Sequence, residues 1–495
     1  MLLDYKTCEQ ARLNYDARYD GRVFIGNKVS GVYCRPICPT PHSKRSNVRY
    51  FPTAAAAAEA GFRPCQRCRP EAAPGTPAWS GTSSTVSRGL RLIAEGALDE
   101  DGVERLADRL GVTSRHLDRL FRRHLGASPT SIARTRRVHL AKQLISDTNL
   151  PMAQVALASG FGSIRRFNDV LRQSYACSPS ELRRPGKRAG VADDEYVFQL
   201  AYRPPYAWSA LLAFLEPRCI PRVEFVRDGI YRRAISIRDS PGLLEVTHRP
   251  GAHALRVRLR FHRPEHILHA VARVRSMFDL TAIPQLVQQD LCKDRLLAPL
   301  LRRQPGLRLP GVWDPLEIVV YAILAQCVAP AEAVALMGRL AERCGQPLTI
   351  PGGTGLSRIF PTATVLAAAD LGGMPAGTVR MIRAAARILR PIGPPNPPED
   401  LIARLSDIEG LEESTLQLIA LRALNDPDAL PGGDRSVMWG YAAIGSAVPL
   451  ASHAESWKPW RGYAAMYLMC SAQGMDIAQE KVGDDFRSQR LVQHR

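Results

Sequence analysis

GVYCRPIC (31–38) and GFRPCQRC (61–68) are the stretches on which the reading of this fold turns. Three residues separate Cys34 from Cys38, two separate Cys65 from Cys68, and a loop of 26 residues joins the pairs. A tetrahedral zinc site needs this arrangement, because each pair can sit on one turn with both sulfurs converging on the metal at about 2.3 Å. Spacing alone leaves open a purely structural zinc ribbon holding a small domain together, and also four separately buried cysteines.

Working outward, the other seven of the eleven cysteines are scattered, and the start, MLLDYKTCEQ, has no apolar stretch behind a basic one. No run approaches the roughly 18 apolar residues of a membrane span. The expectation is a soluble cytoplasmic protein with no membrane partner and no disulfide framework, because that compartment keeps thiols reduced. The formal net charge of +19 is concentrated towards the N-terminus. Residues 1–80 hold 12 Lys/Arg against 6 Asp/Glu and residues 81–190 hold 19 against 10, so the remaining 305 residues carry only +4. A polyanion partner, nucleic acid first, is indicated for the first 190 residues; the alternative is a basic surface that serves solubility alone.

DARYDGRVFIGNKVSGVYCRPIC (16–38) followed by NVRYFPTAAAAAEAGFRPCQRCRP (47–70) resembles the N-terminal domain of the bacterial Ada methyl-phosphotriester transferases. The resemblance spans the module and all four clustered cysteines. It implies that Cys34 is both zinc ligand and methyl acceptor, that Cys38, Cys65 and Cys68 complete the site, and that each protein acts once. A metal-bound thiolate is already deprotonated and stays nucleophilic at neutral pH. Arg63 and Arg67 flank the site and suit phosphate oxygens, or solvent equally well.

VERLADRLGVTSRHLDRLFRRHLG (103–126) has the small Ala107, a turn at Gly111 and a Thr/Ser cap before a second helix, the helix-turn-helix pattern. A second copy follows at MAQVALASGFGSIRRFNDVLRQSY (152–175), with a helix from Pro129 to Ile145 between them. The arrangement resembles the AraC family of transcriptional activators. That resemblance places Arg115, His116 and Arg119 in one major groove and Ser163, Arg165 and Arg166 in the next. Arginine suits base reading because it bridges guanine O6 and N7, although any one of these residues fits a phosphate contact as well.

FQLAYRPPYAWSALLAFLEPRCIPRVEF (198–225), LRLPGVWDPLEIVVYAILAQCV (307–328), FPTATVLAAADLGGMP (360–375) and WKPWRGYAAMYL (457–468) resemble the AlkA type of 3-methyladenine DNA glycosylase. This implies a small α+β lobe against a helix-hairpin-helix lobe. It also places Asp434 on the catalytic aspartate, whose charge stabilises the cation left on the deoxyribose as a flipped base departs. Without the resemblance, an Asp after two glycines is a turn or a helix cap. The hairpin, IEGLEE (408–413), keeps Gly410, which the resemblance sets against a DNA phosphate, but adds Glu412 and Glu413, which oppose that contact. Ser414, Leu418 and Met469 stand where the family stacks aromatics on the base, an interaction of about 1–3 kcal/mol per base.

Pro/Gly clusters at RPEAAPGTPAWSG (69–81) and RRPGKRAGVADD (183–194) read as exposed linkers; ALRVRLRF (254–261) reads as a strand, and the apolar spacing from about 285 to 475 as helical. The expected architecture is multidomain α+β. A small zinc-bound α/β module (1–80) and an all-α double helix-turn-helix module (81–190) precede a small α+β lobe (191–284), an all-α helix-hairpin-helix glycosylase lobe (285–475) and a polar tail (476–495). The expected partners are double-stranded DNA, both alkylated and promoter, and RNA polymerase, with nucleoid association on DNA. The expected function is an alkylation-damage response: methyl transfer from DNA phosphotriesters to Cys34, sequence-specific transcriptional regulation, and excision of alkylated purines. The alternative is a methylation-activated regulator whose glycosylase-like half is inactive or altered.

Overall fold

In the computed structural model, the described residues are 3–74, 84–94, 96–98, 102–148, 150–183, 195–237, 240–348, 355–390 and 398–472. The second linker read from the sequence, from residue 184 to 194, the part of the first from 75 to 81, and the tail from 476 lie outside them.

The first module opens with α1 (Tyr5–Leu13), capped by Asp4, whose carboxylate accepts from the Thr7 amide. Strands β1 (Phe24–Asn27), β2 (Val32–Cys34) and β3 (Val48–Phe51), helix α2 (Ala54–Glu59) and strand β4 (Arg63–Pro64) follow. The sheet order is β3-β1-β2-β4, with β4 parallel to β2. The alanine run at 54–57 is buried against Phe24, Tyr33 and Phe51, its small side chains letting α2 lie close to the sheet. Gly21 sits at φ +72°, and a Cβ there would meet the Pro74 carbonyl oxygen at 2.1 Å, so only glycine closes this turn.

Pro74 belongs to the stretch read as an exposed linker, and the structure corrects that reading for residues 70–74. Pro70, Glu71 and Ala73 are buried, and Gln143 Nε2 donates to the Glu71 carbonyl at 3.1 Å. The prolines and alanines that signal a linker here supply apolar surface packed onto a helix.

That helix is α6 (Pro129–Asp147), the spine of the second module, between α3 (Ser84–Ala94), α4 (Val103–Arg109) and α5 (Ser114–Leu125) on one side and α7 (Met152–Ala158), α8 (Ile164–Tyr175) and α9 (Pro179–Leu182) on the other. Thr113 and Ser163 cap α5 and α8, accepting from the amides of His116 and Arg166. The two helix-turn-helix copies are supported differently. The first has its own core, including Val86, Leu106, Leu117 and Phe121. The second, through Val155, Phe167 and Leu171, shares one continuous core with the lobes that follow.

Strand β5 (Glu195–Ala201), helix α10 (Trp208–Leu215) and strands β6 (Glu224–Arg227), β7 (Ile230–Ile237), β8 (Ser240–Arg249) and β9 (Ala254–Phe261) form an antiparallel sheet of order β5-β9-β8-β7-β6. Strand β9 covers 254–261, the alternating segment read as a strand. Helix α11 (Ile267–Met277) ends this lobe. The helical lobe runs through α12 (Pro284–Leu291), α13 (Ala298–Arg303), α14 (Pro315–Cys327), α15 (Pro330–Cys344), α16 (Ala363–Ala368), α17 (Ala376–Ile388), α18 (Pro398–Ser406), α19 (Glu413–Ala423), α20 (Arg435–Ala443), α21 (Leu450–His453) and a final helix over 461–472. A two-residue ladder between β10 (Gln346–Pro347) and β11 (Arg358–Ile359) interrupts the helices. The lobes are joined by Arg233 on β7, which is buried and paired with Glu317 of α14 at 2.6 Å. Burial pushes the Glu317 carboxyl up to about 7. Among the described residues no helix is long and apolar enough to cross a membrane.

Candidate metal centre and nucleic-acid sites

Because β2 and β4 run side by side, with Tyr33 opposite Pro64, the residues that follow these two positions, Cys34 and Cys65, emerge together at one end of the sheet. The turns after each strand bring in Cys38 and Cys68, and one sulfur from each of the four cysteines lies within 4.8 Å of the others. Cys38 and Cys68 are buried, while Cys34 keeps some exposure. Hydrogen bonding among the sulfurs, Cys34 with Cys38 foremost, pushes the Cys34 and Cys68 thiols up and those of Cys38 and Cys65 down, Cys65 to about 6. Four soft sulfur donors within 4.8 Å of one another fit Zn2+, which takes four thiolates at once.

The sequence reading missed Arg35. This buried guanidinium donates to the Cys68 carbonyl at 3.1 Å and is paired with Asp20, while its backbone amide donates to Cys68 Sγ at 3.4 Å. Its neighbour Tyr33, also buried, meets His139 Nε2 of α6 at 3.0 Å. Spacing rules see only ligands, so neither residue carried a signal. Arg63 and Arg67 are exposed beside the cluster.

On the helix-turn-helix pair, Arg115, Arg119, Ser163, Arg165 and Arg166 are exposed at the starts of α5 and α8. His116 is half-buried, and its Nδ1 lies 2.9 Å from Arg119 Nη2. The module is locked to the metal module. Thr53 Oγ1 donates to the Leu125 carbonyl at 2.9 Å, the Ser128 amide donates to Glu59 at 3.2 Å, and Arg122 pairs with Glu59 at 3.3 Å.

In the helical lobe Asp434 is half-buried and caps α20, Oδ1 accepting from the amides of Ser436 at 2.8 Å and Val437 at 3.3 Å. The Tyr321 phenol lies in the field of Asp434, Arg218 and Arg422, and burial pushes its pKa up. Ser414 holds the preceding loop, its Oγ accepting from the Gly433 amide at 2.9 Å; a Cβ on Gly433 would meet Ser414 at the same distance. Leu418 is half-buried, and Met469 is 2% exposed, deep in the core. Gly410 is exposed. Its carbonyl accepts from Gln326 Nε2 at 2.7 Å, while Gln326 Oε1 accepts from the Glu412 amide and from Thr415 Oγ1. Glu412 and Glu413 sit exposed at the start of α19, where their charge complements the helix dipole that would otherwise attract a phosphate. Gln326 was also not foreseen, because its role appears only once α14 and the hairpin are brought together.

The chain matches the metal binding domain of Ada over residues 7–71, a helix-turn-helix domain over 106–185 and the AlkA N-terminal domain over 197–314. It is 36% identical over 485 residues to a probable bifunctional transcriptional activator/DNA repair enzyme AlkA of Mycobacterium tuberculosis, covering 94% of this chain and 96% of the relative. It is 31% identical over 282 residues to DNA-3-methyladenine glycosylase 2 of Escherichia coli, covering 55% of this chain and 96% of that protein. It is also 29% identical over 178 residues to the bifunctional transcriptional activator/DNA repair enzyme AdaA of Bacillus subtilis, covering 36% of this chain and 82% of that protein. The resemblances read from the sequence hold, and the chain belongs to the family of bifunctional transcriptional activator/DNA repair proteins in which an Ada-type metal-binding domain and helix-turn-helix domain are joined to an AlkA-type glycosylase half.

Proposed function

We propose that Cys34 accepts a methyl group from methyl phosphotriesters in DNA, that the helix-turn-helix pair then binds promoter DNA more tightly, and that Asp434 supports release of alkylated purines. The carrying observation is the cluster of four sulfurs in which Cys34, like Cys65, keeps some exposure while Cys38 and Cys68 are buried. Bound zinc would keep the four sulfurs as thiolates. Cys34 Sγ attacks the methyl carbon, an S–C bond forms, the C–O bond breaks, and its electron pair stays on the phosphate oxygen, restoring an anionic diester. The cluster thereby loses one negative charge and repels the DNA backbone less. Arg63 and Arg67 hold the neighbouring phosphates. Arg115, His116, Arg119, Ser163, Arg165 and Arg166 face the grooves, RNA polymerase is the downstream partner, and the protein works in the cytoplasm on the nucleoid.

At the other site, the Asp434 carboxylate, held by two amides, faces the deoxyribose cation as the base leaves and water completes hydrolysis of the N-glycosidic bond. A second reading, a regulator whose glycosylase half no longer excises bases, is favoured by the glutamates that open α19 and by the placement of Met469 in the core. One experiment separates the two: zinc-loaded protein is incubated with DNA carrying methyl phosphotriesters and N-methyl purines. S-methylation mapped to Cys34 together with abasic sites above an Asp434→Asn control supports the full proposal. Methylation without abasic sites leaves the regulator, and absence of S-methylation overturns the first step.

A further inference from the structure

The metal module, the helix-turn-helix module and the α+β lobe meet around a cavity of about 350 Å3, within the size range of small-molecule sites. Its walls are mostly apolar: Phe24 comes from β1, Ile93 from α3, Leu140 from α6, and Leu268 and Val271 from α11. Into this chamber α11 also sends Arg275. Arg275 Nη1 is buried with no hydrogen-bond partner, and among the described residues no carboxylate pairs with the guanidinium. The two acidic residues of the wall are engaged elsewhere, Glu71 with Arg69 and Asp279 with the Tyr463 hydroxyl and the Leu309 amide. His139, also in the wall, is bonded to Tyr33 and is held neutral by burial at about 4. A guanidinium N–H shut away from water with no acceptor is costly, and a ligand oxygen would supply the missing acceptor.

We propose that this cavity is a binding site for a small organic carboxylate with an apolar body, its carboxylate on Arg275 and its hydrocarbon against Phe24, Leu140, Leu268 and Val271. Guanidinium and carboxylate match as a bidentate pair. Inorganic phosphate does not match, because it has nothing to cover the apolar walls and the wall's other guanidinium, Arg136, is already held by the Ile93 and Ala94 carbonyls. A ligand here touches all three modules, so its binding energy stabilises their junction, in a role separate from the chemistry at Cys34 and Asp434.

The test is calorimetric unfolding of the full-length, zinc-loaded protein at constant ionic strength with benzoate, octanoate, benzamide or inorganic phosphate. Benzoate or octanoate at a hundredfold excess over its Kd raises the midpoint by roughly 2 to 4 °C, benzamide and phosphate leave it unchanged, and Arg275→Gln abolishes the rise. The proposal is overturned by no shift with either carboxylate, by an equal shift with benzamide or phosphate, or by a shift that survives Arg275→Gln. Should Arg275→Gln fail to fold, Ala272→Phe, which fills the chamber from the same helix, serves in its place. Loss of the carboxylate shift in that variant supports the site and retention overturns it.

Discussion

The cysteine cluster and the surroundings of Asp434 differ in how their parts are gathered. Four sulfurs are delivered by two adjacent strand ends and the turns that follow them, all within 35 residues. Asp434 depends on Ser414 from α19 for its loop and shares its surroundings with Arg218 and Tyr321, from α10's end and α14. A locally built site keeps its chemistry as a unit. A site assembled from distant elements can keep its carboxylate while its neighbours change, and the sequence reading expects such change at Ser414, Leu418 and Met469 around Asp434.

The sharpest way to break this contrast is Cys65→Ala. If the metal organises the first module, this variant loses zinc and the module unfolds, since structural zinc contributes on the order of 10 kcal/mol to folding of small domains. Metal analysis and near-ultraviolet circular dichroism check it, and a folded zinc-free module would end the argument. Next in size, Asp434→Asn should lower purine release at least a hundredfold while leaving stability almost unchanged, because the amide oxygen still accepts from Ser436 and Val437. Asp434→Ala should show the same loss and cost about 1 kcal/mol more as the cap disappears. Abasic-site counts paired with denaturant unfolding separate charge from cap; full release by Asp434→Asn would leave Asp434 as a cap alone.

A third expectation concerns the tie between the cluster's own strand β2 and α6, the spine of the helix-turn-helix module. Desolvation beside Tyr33 pushes the His139 imidazole down to about 4 in the folded protein, from the usual value near 6.5. Its neutral form therefore contributes its full stability above pH 6.5, and that contribution falls as pH drops towards 4, by up to roughly 3 kcal/mol. Across this window the wild type should lose up to that much more unfolding free energy than His139→Gln as the pH falls, and parallel curves would contradict the assignment. Changing Arg115 or Arg165 to Ala should weaken promoter binding by about 1–3 kcal/mol where the arginine reads a base, measured by titration against specific and random duplexes. The smallest effect is that of Ser414→Ala, about 1 kcal/mol or less from the unpartnered Gly433 amide. A matching small drop in purine release would tie Ser414 to the Asp434 loop, and a large drop would mean that Ser414 touches the substrate.

How much of this was legible in the sequence follows the same division. Cys34, Cys38, Cys65 and Cys68 announce themselves by spacing, the two helix-turn-helix copies by their turns and caps, and β9 by strict alternation of apolar and charged residues. Asp434 was legible only through resemblance, because a carboxylate after two glycines has the local form of a helix cap, and a cap is also what it makes. Arg35, Gln326 and Tyr321 were not legible at all: each acts on a neighbour 33 or more residues away, and no local period encodes such a pairing. The stretch 70–74 misled for a related reason, since proline and alanine describe an exposed connection and an apolar contact equally well until α6 is beside them.

The shared core has a consequence for the birth of the molecule on the ribosome. The first helix-turn-helix copy can close on residues between Val86 and Ala133, soon after they emerge. The second cannot, because Val155, Phe167 and Leu171 belong to a core that continues through Tyr196 and Leu259 of the α+β lobe, and α7 packs on the turn at Pro264–His266. Until the chain has been synthesised as far as that turn, part of the surface of α7 stands open to solvent and to other nascent chains. Messages cut short before residue 264 would thus yield a product with one finished DNA-binding unit and one sticky half-built one, a substrate for chaperones and proteases rather than a smaller working regulator.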